Sequence, residues 1–302
     1  MRFLLGFMWL LHWLPLPVLG RFGTAVGSLL FLVMKPRREI TLTNLRLTMP
    51  ELTERQRIAL ARRHFQSYAR SVFERGILWW APQRRLKRLI KVVAFDGPHP
   101  ESGGVPVAAI SAQPTILLCP HFVCLDVAGA ALAMEMSASS MYVQQKNKVF
   151  DQVLRDGRAR FQPVKLFTRH DGIKPILRAL KEKLPYFMLP DMDFGEKDAE
   201  FVPFFGIPCA TLTATARIAA TTGAQVMPVI GTFLPDYQGW QVQFCAPWQN
   251  YPGPDMVEAT RRMNAFIEDR VREAPAEYFW THKRFKTRPN GEASLYTGNT
   301  GK

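Results

Sequence analysis

Residues 115–126 run Thr115-Ile116-Leu117-Leu118-Cys119-Pro120-His121-Phe122-Val123-Cys124-Leu125-Asp126. An apolar run stops at a proline and a second apolar run starts after it. That pattern reads as a buried strand passing through a loop into a helix. A strand that is apolar at nearly every position is covered on both faces, as in parallel sheets. Further candidate strands are 92–95, 140–144, 186–189, 225–230 and 241–245, and candidate helices lie near 123–136, 148–160, 173–183, 211–222 and 255–273. The last helix carries Met256, Ala259, Met263, Phe266 and Val271 on one stripe, and Gly223 is a natural stop for the helix before it. Such alternation predicts an α/β domain around a mostly parallel central sheet flanked by helices. The Pro/Gly-rich stretch 97–114 is expected to be a surface loop, and the polar tail after Pro289 to be loose.

The chain has 302 residues, of which 47% are apolar and 21% charged, which excludes both a disordered tail and a polytopic membrane protein. Four cysteines (Cys119, Cys124, Cys209, Cys245) form no CxxC pair, so a reducing compartment is expected and no zinc site is suggested.

Charge and apolar residues are unevenly spread. Between residues 3 and 34 the only formal charge is Arg21. The run Phe3–Gly20 has 18 residues. As one helix it would measure about 27 Å, close to the roughly 30 Å of a hydrocarbon core. Pro15 and Pro17 are expected to kink or end it, and a second run, Phe22–Met34, is too short to span alone. With one N-terminal arginine and no small-x-small cleavage site, a signal peptide fits poorly, whereas a helical membrane anchor over 1–34 fits, spanning or lying in the interface. If it spans, Lys35-Pro36-Arg37-Arg38 after it belongs on the cytoplasmic side.

Residues 35–91 hold 15 Lys/Arg against 4 Glu, so most of the net charge of +14 sits just after the anchor. Thr53-Glu54-Arg55-Gln56 reads as a capping box opening a helix with Ile58, Ala61, Phe65, Tyr68 and Val72 on its apolar stripe. The basic face suits anionic lipid or an acidic partner. No nucleic-acid motif accompanies the charge, and no nucleic-acid partner is expected. The organisation expected is therefore an anchor (1–34), a basic helical region (35–91), an α/β core (92–289) and a flexible tail (290–302).

His121 and Asp126 form an H-x4-D arrangement. Five residues apart on a regular helix they would point about 140° away from each other. They meet only if His121 lies in the loop and folds back over the first helical turn. An acid on one ring nitrogen fixes the tautomer and leaves the other nitrogen as a base. The start of the following helix would offer N–H groups to an oxyanion. No G-x-S-x-G is present, and Cys119 and Cys124 stand in apolar surroundings that disfavour a thiolate. The base would then activate an external hydroxyl. Asp191 and Asp193, two apart, would face opposite ways on a strand, which argues against a shared metal and leaves Arg158 as a natural partner for an acid.

Six segments carry a family resemblance: Asn44-Leu45 with Met49-Pro50-Glu51; His121-x4-Asp126; Gly157-Arg158-Ala159-Arg160; Asp191-Met192-Asp193-Phe194-Gly195; Phe201-Val202-Pro203-Phe204-Phe205-Gly206; and Tyr278-Phe279-Trp280-Thr281-His282-Lys283-Arg284-Phe285-Lys286-Thr287-Arg288-Pro289. Together they are similar to the late acyltransferases of bacterial lipid A biosynthesis, the lauroyl/myristoyl transferase family, over nearly the whole chain. The resemblance implies an acyltransferase on the cytoplasmic face of the inner membrane. It would move a fatty acyl chain from acyl carrier protein to a hydroxyl of a lipid A precursor, without metal or organic cofactor, as a monomer. It assigns His121 as general base and Asp126 as its orienting partner. Arg158 and Asp191 fall at the family's conserved polar positions near the site. With Arg160 they are candidates for substrate binding, and the cluster Lys283, Arg284, Lys286 and Arg288 would bind phosphate or the carrier, or sit at a solvated terminus. Family members carry Tyr-Arg-Pro after the third strand, where this chain has Tyr142-Val143-Gln144. The aromatics of 201–206 are candidates for an acyl groove or for core packing. Two other functions stay open beside this one: an acyltransferase for another lipid, ornithine-type or lysophospholipid, and a membrane-associated binding protein with a structural H-x4-D.

Overall fold

The computed structural model describes residues 1–95 and 104–296. The first part of the Pro/Gly-rich stretch expected as a loop, 97–103, lies outside these, and the remainder contains a short helix, Val107–Ala112.

Four helices open the chain: α1 (Arg2–Leu11), α2 (Leu16–Val33), α3 (Lys35–Thr48) and α4 (Glu54–Trp80). The long apolar run is broken where the prolines stand. Pro15 caps α2 and Pro17 sits in its first turn, so Leu16–Gly20 joins the second run to make an 18-residue helix. The capping box at α4 forms in both directions, Thr53 to the Gln56 N–H and Gln56 back to the Thr53 N–H. Its expected stripe is rotated: Ile58 and Tyr68 are exposed, while Leu60, Ala61, Phe65, Ala69 and Ile77 are buried. The cause is that α4 is covered on two sides, by α2 and by the α/β core.

The remaining elements are α5 (Gln83–Leu89), β1 (Ile90–Ala94), α6 (Val107–Ala112), β2 (Thr115–Leu118), α7 (Leu125–Ala133), β3 (Ala138–Met141), α8 (Lys148–Arg158), β4 (Val164–Phe167), α9 (Lys174–Lys181), β5 (Tyr186–Met188), β6 (Ala199–Phe204), β7 (Ile207–Leu212), α10 (Ala214–Thr222), β8 (Gln225–Phe233), β9 (Trp240–Phe244) and α11 (Met256–Glu273). Seven strands form one sheet in the order β1-β9-β8-β2-β5-β3-β4. Every pairing is parallel except β8 with β9. Alternate residues of β2 enter opposite cores, Leu117 on one face and Ile116 with Leu118 on the other. Burial on both faces is why the strand reads as an unbroken apolar run.

Three expectations are revised. An edge strand, β4, was not legible in Val164–Phe167, whose side chains are half-exposed. Residues 199–212 form a separate hairpin, β6–β7, turned at Phe205-Gly206, both at positive φ. Helix α10 therefore starts only at Ala214. The tail after Pro289 is not loose as far as Tyr296, which is buried and bonds Asn44 through its hydroxyl at 2.6 Å.

Candidate active site

β2 and β5 are neighbours, in register with Leu118 opposite Met188. Each continues through one residue into a proline and then a polar residue: Cys119-Pro120-His121 and Leu189-Pro190-Asp191. Equal offsets from a parallel register bring the two polar residues out side by side at the carboxyl ends of the strands. This is the place in an open α/β sheet where ligands bind, beside the strand at which the order reverses.

His121 Nδ1 lies 2.8 Å from Asp191 Oδ1, and the His121 N–H donates to both oxygens of the same carboxylate. Asp191 is fully buried. Burial alone would raise its pKa, but the imidazole, its two hydrogen bonds and the nearby Arg284 charge hold it below the usual carboxylate range. Tyr278, kept protonated by burial, adds a bond to the same carboxylate. Phe279 stacks near the His121 ring, at 6.4 Å between centroids. Its N–H bonds the His121 carbonyl, and Val123 N–H bonds the Glu277 carbonyl, so the segment after α11 straps the histidine loop in place.

Asp126 does not serve as the partner expected from the H-x4-D spacing. In the first turn of α7 it faces away from the histidine loop toward two guanidinium groups, Arg158 at 2.8 Å from the end of α8 and Arg75 at 2.9 Å from α4. Despite burial, the two arginines push its pKa down to about 2. One carboxylate against two cations leaves a net positive charge. The expected ring of helix-start donors is also largely committed: the Val123, Leu125 and Val127 N–H groups already bond backbone carbonyls.

A cavity lies further back along the same two strands, and His121 and Asp191 are not among its lining residues. Cys119 and Leu189, two positions before His121 and Asp191, line it, with Asp126, Arg158, Gly129 and Trp79. A Cβ built on Gly129 meets nothing within 4 Å, so α7 presents open space there. Cys119 and Cys124 are buried with thiol pKa values raised by desolvation, which removes them as nucleophiles.

The other candidate residues separate by burial. Arg284 is buried and donates to the Ala210 carbonyl, to Thr211 and to Asn264, so it ties β7 to α11 and is not available to a phosphate. Arg160 donates to the Leu78 and Ala81 carbonyls, closing the end of α4. Lys283 is half-buried, its ammonium 5.4 Å from the Tyr296 ring. The aromatic block 201–206 belongs to the hairpin, where Phe204 is fully buried and Phe205 N–H bonds Glu268 of α11. Asp193 anchors the C-terminal segment through the Thr287 N–H and hydroxyl, each at 2.7 Å. Among the described residues no three His, Cys, Asp or Glu side chains converge as a metal site would require. Arg75 carries no local signal that separates it from the other basic residues of 35–91. The shared ending of 117–121 and 187–191 was the signal for the His121–Asp191 contact.

A family model for bacterial lipid A biosynthesis acyltransferase matches residues 2–287. The chain is 31% identical to the lipid A biosynthesis lauroyltransferase of Escherichia coli (strain K12), over 97% of this chain and 93% of that protein. It is 30% identical to the palmitoleoyltransferase of the same strain, over 97% and 92%. Among solved structures it matches the 1-acyl-sn-glycerophosphate acyltransferase of Thermotoga maritima at 14% identity and a TM-score of 0.38, covering 80% of this chain and all of that one.

Proposed function

The chain belongs to the bacterial lipid A biosynthesis acyltransferases, and from that premise we propose that it transfers a fatty acyl chain from acyl carrier protein to a hydroxyl of a lipid A precursor, with His121 as the general base. The observation that carries this reading is the buried carboxylate of Asp191 on His121 Nδ1. An ionised acceptor there keeps the proton on Nδ1 and leaves Nε2 to take one from the acceptor hydroxyl. The hydroxyl oxygen attacks the thioester carbonyl. The new C–O bond forms, the C–S bond breaks, and the imidazolium returns its proton to the leaving thiolate. We assign the oxyanion to Arg158, which Asp126 holds at the cavity. Asp126 is then a positioning residue for Arg158. The apolar cavity takes the acyl chain. The basic region after the N-terminal helices suits an acidic carrier and phosphorylated lipid, and those helices hold the enzyme at the cytoplasmic face of the membrane.

The test is incubation of purified variants with acyl carrier protein donors and a lipid A precursor, reading product mass. His121→Ala is expected to lose roughly 10²- to 10⁴-fold in kcat, the range of a general base. Asp191→Asn should fall nearly as far with little change in KM. Asp126→Asn should also lose rate, with full folding retained by circular dichroism. Wild-type rates from His121→Ala would end the assignment.

A further inference from the structure

Helix α2 has the length and composition of a span, yet one face of it, from Leu16 to Phe31, is buried against the rest of the fold. At its start, Arg85 of α5 donates to the His12 and Leu14 carbonyls. In the middle, Gly20 lies against the Tyr237 ring and Gly23 against the Arg70 backbone. Toward its end, Gly27 meets the backbone of Phe65 and Gln66, and Gln66 bonds Ser28 at 2.9 Å. Past Phe31 the chain returns at once: Arg38 bonds the Phe31 carbonyl and Arg37 the Thr281 carbonyl. Its partner α4 exposes Arg55, Arg62 and Arg63. For α2 to cross a bilayer, either α4 must bring Arg62 and Arg63 toward hydrocarbon, which is costly, or α2 must leave all these contacts.

The opposite face of the same helices is exposed and apolar. Phe3 is 96% exposed, Leu10 61%, Trp13 64% and Leu32 62%. Phe7 of α1 and Phe22 of α2 touch at 6.5 Å between centroids, so the two faces form one surface. Exposed Arg2, Arg21, Lys35 and Arg37 flank it. An apolar face rimmed by cations fits one leaflet of an anionic bilayer. It also lies near the acyl cavity, since α1 rests on α4 at Gly76, and Leu78 and Trp79 of α4 line that cavity.

We propose that α1 and α2 lie flat in one leaflet and that neither crosses, so that residues 2 and 35 face the same compartment. This rests on the membrane association proposed above. The four native cysteines are buried, so Arg2→Cys and Lys35→Cys can be probed singly with a membrane-impermeant maleimide. Each full-length variant is labelled in inverted and in right-side-out inner-membrane vesicles. Both are expected to react at least tenfold more in inverted vesicles. Arg2→Cys reacting from the other side would show a span and overturn the flat placement while leaving membrane association intact. In parallel, purified wild-type chain is floated with phosphatidylcholine vesicles with and without phosphatidylglycerol. Flotation favoured by the anionic lipid is expected. No flotation, with a dimer formed instead, would assign the face to a second copy and end the membrane reading itself.

Discussion

At the scale of single residues, two carboxylates exchange the parts that spacing along the chain assigns to them. Asp126, five positions after His121, serves Arg75 and Arg158; Asp191, seventy positions away, serves the histidine. Each is held ionised by a partner it could not be matched with from local sequence. Gly129 is the other informative residue. It sits on α7 with open cavity where a side chain would go. Gly129→Met should fill that space. If the cavity holds the acyl chain, the variant will shift its preferred donor toward shorter chains by a few methylenes while the thermal midpoint stays close to wild type. Product masses from a mixed set of carrier-bound donors measure the shift, and an unchanged profile would remove the cavity from the acyl path.

At the scale of elements, α2 against α4 is a glycine contact of unusual closeness. A Cβ on Gly27 would stand 2.4 Å from the Phe65 carbonyl oxygen, which is backbone and cannot swing aside. Gly27→Leu is therefore expected to destabilise the chain by about 1–3 kcal/mol or more, the cost of overpacking. On α1, Gly6 has nothing within 4 Å, and Gly6→Leu should change stability by no more than about 0.5 kcal/mol. Thermal unfolding of the pair in detergent makes the comparison; equal losses would show that the α2–α4 contact is not formed. The elements best legible in the sequence were those whose signal is local. The Thr53 capping box and the αL stop at Gly223 both formed where expected. The hairpin 199–212 was not legible, because prolines at 203 and 208 and the aromatic run hide its alternation.

At the scale of the molecule, four desolvated titratable groups, His64 and Glu74 buried and His282 and Glu277 partly so, oppose one another. Burial pushes His64 and His282 down to about 4, and pushes Glu74 and Glu277 up to about 7. The histidines bind protons more readily when unfolded, so their contribution is full above pH 6.5 and is lost as pH falls toward 4. The glutamic acids bind protons more readily when folded, so theirs is full below pH 4.5 and is lost as pH rises through 7. Between pH 4.5 and 6.5 the slopes have opposite sign, about 1.4 kcal/mol per pH unit for each group, and nearly cancel. Wild-type stability should be almost level there. The double variant Glu74→Gln/Glu277→Gln should instead gain stability as pH rises through the same window. Chemical denaturation at several pH values tests this, and parallel curves for the two proteins would contradict the assigned burial.

What the sequence determined by itself is what neighbours along the chain decide: helix starts and stops, buried strands, the prolines that divide the apolar N-terminus, and a histidine delivered at the end of a strand. The order of strands in the sheet is a pairing between distant segments, and no local pattern encodes it. Only the tertiary structure therefore decided that β5 lies beside β2, that Asp191 and not Asp126 meets His121, and that a helix long enough to cross a membrane packs against arginine-bearing α4.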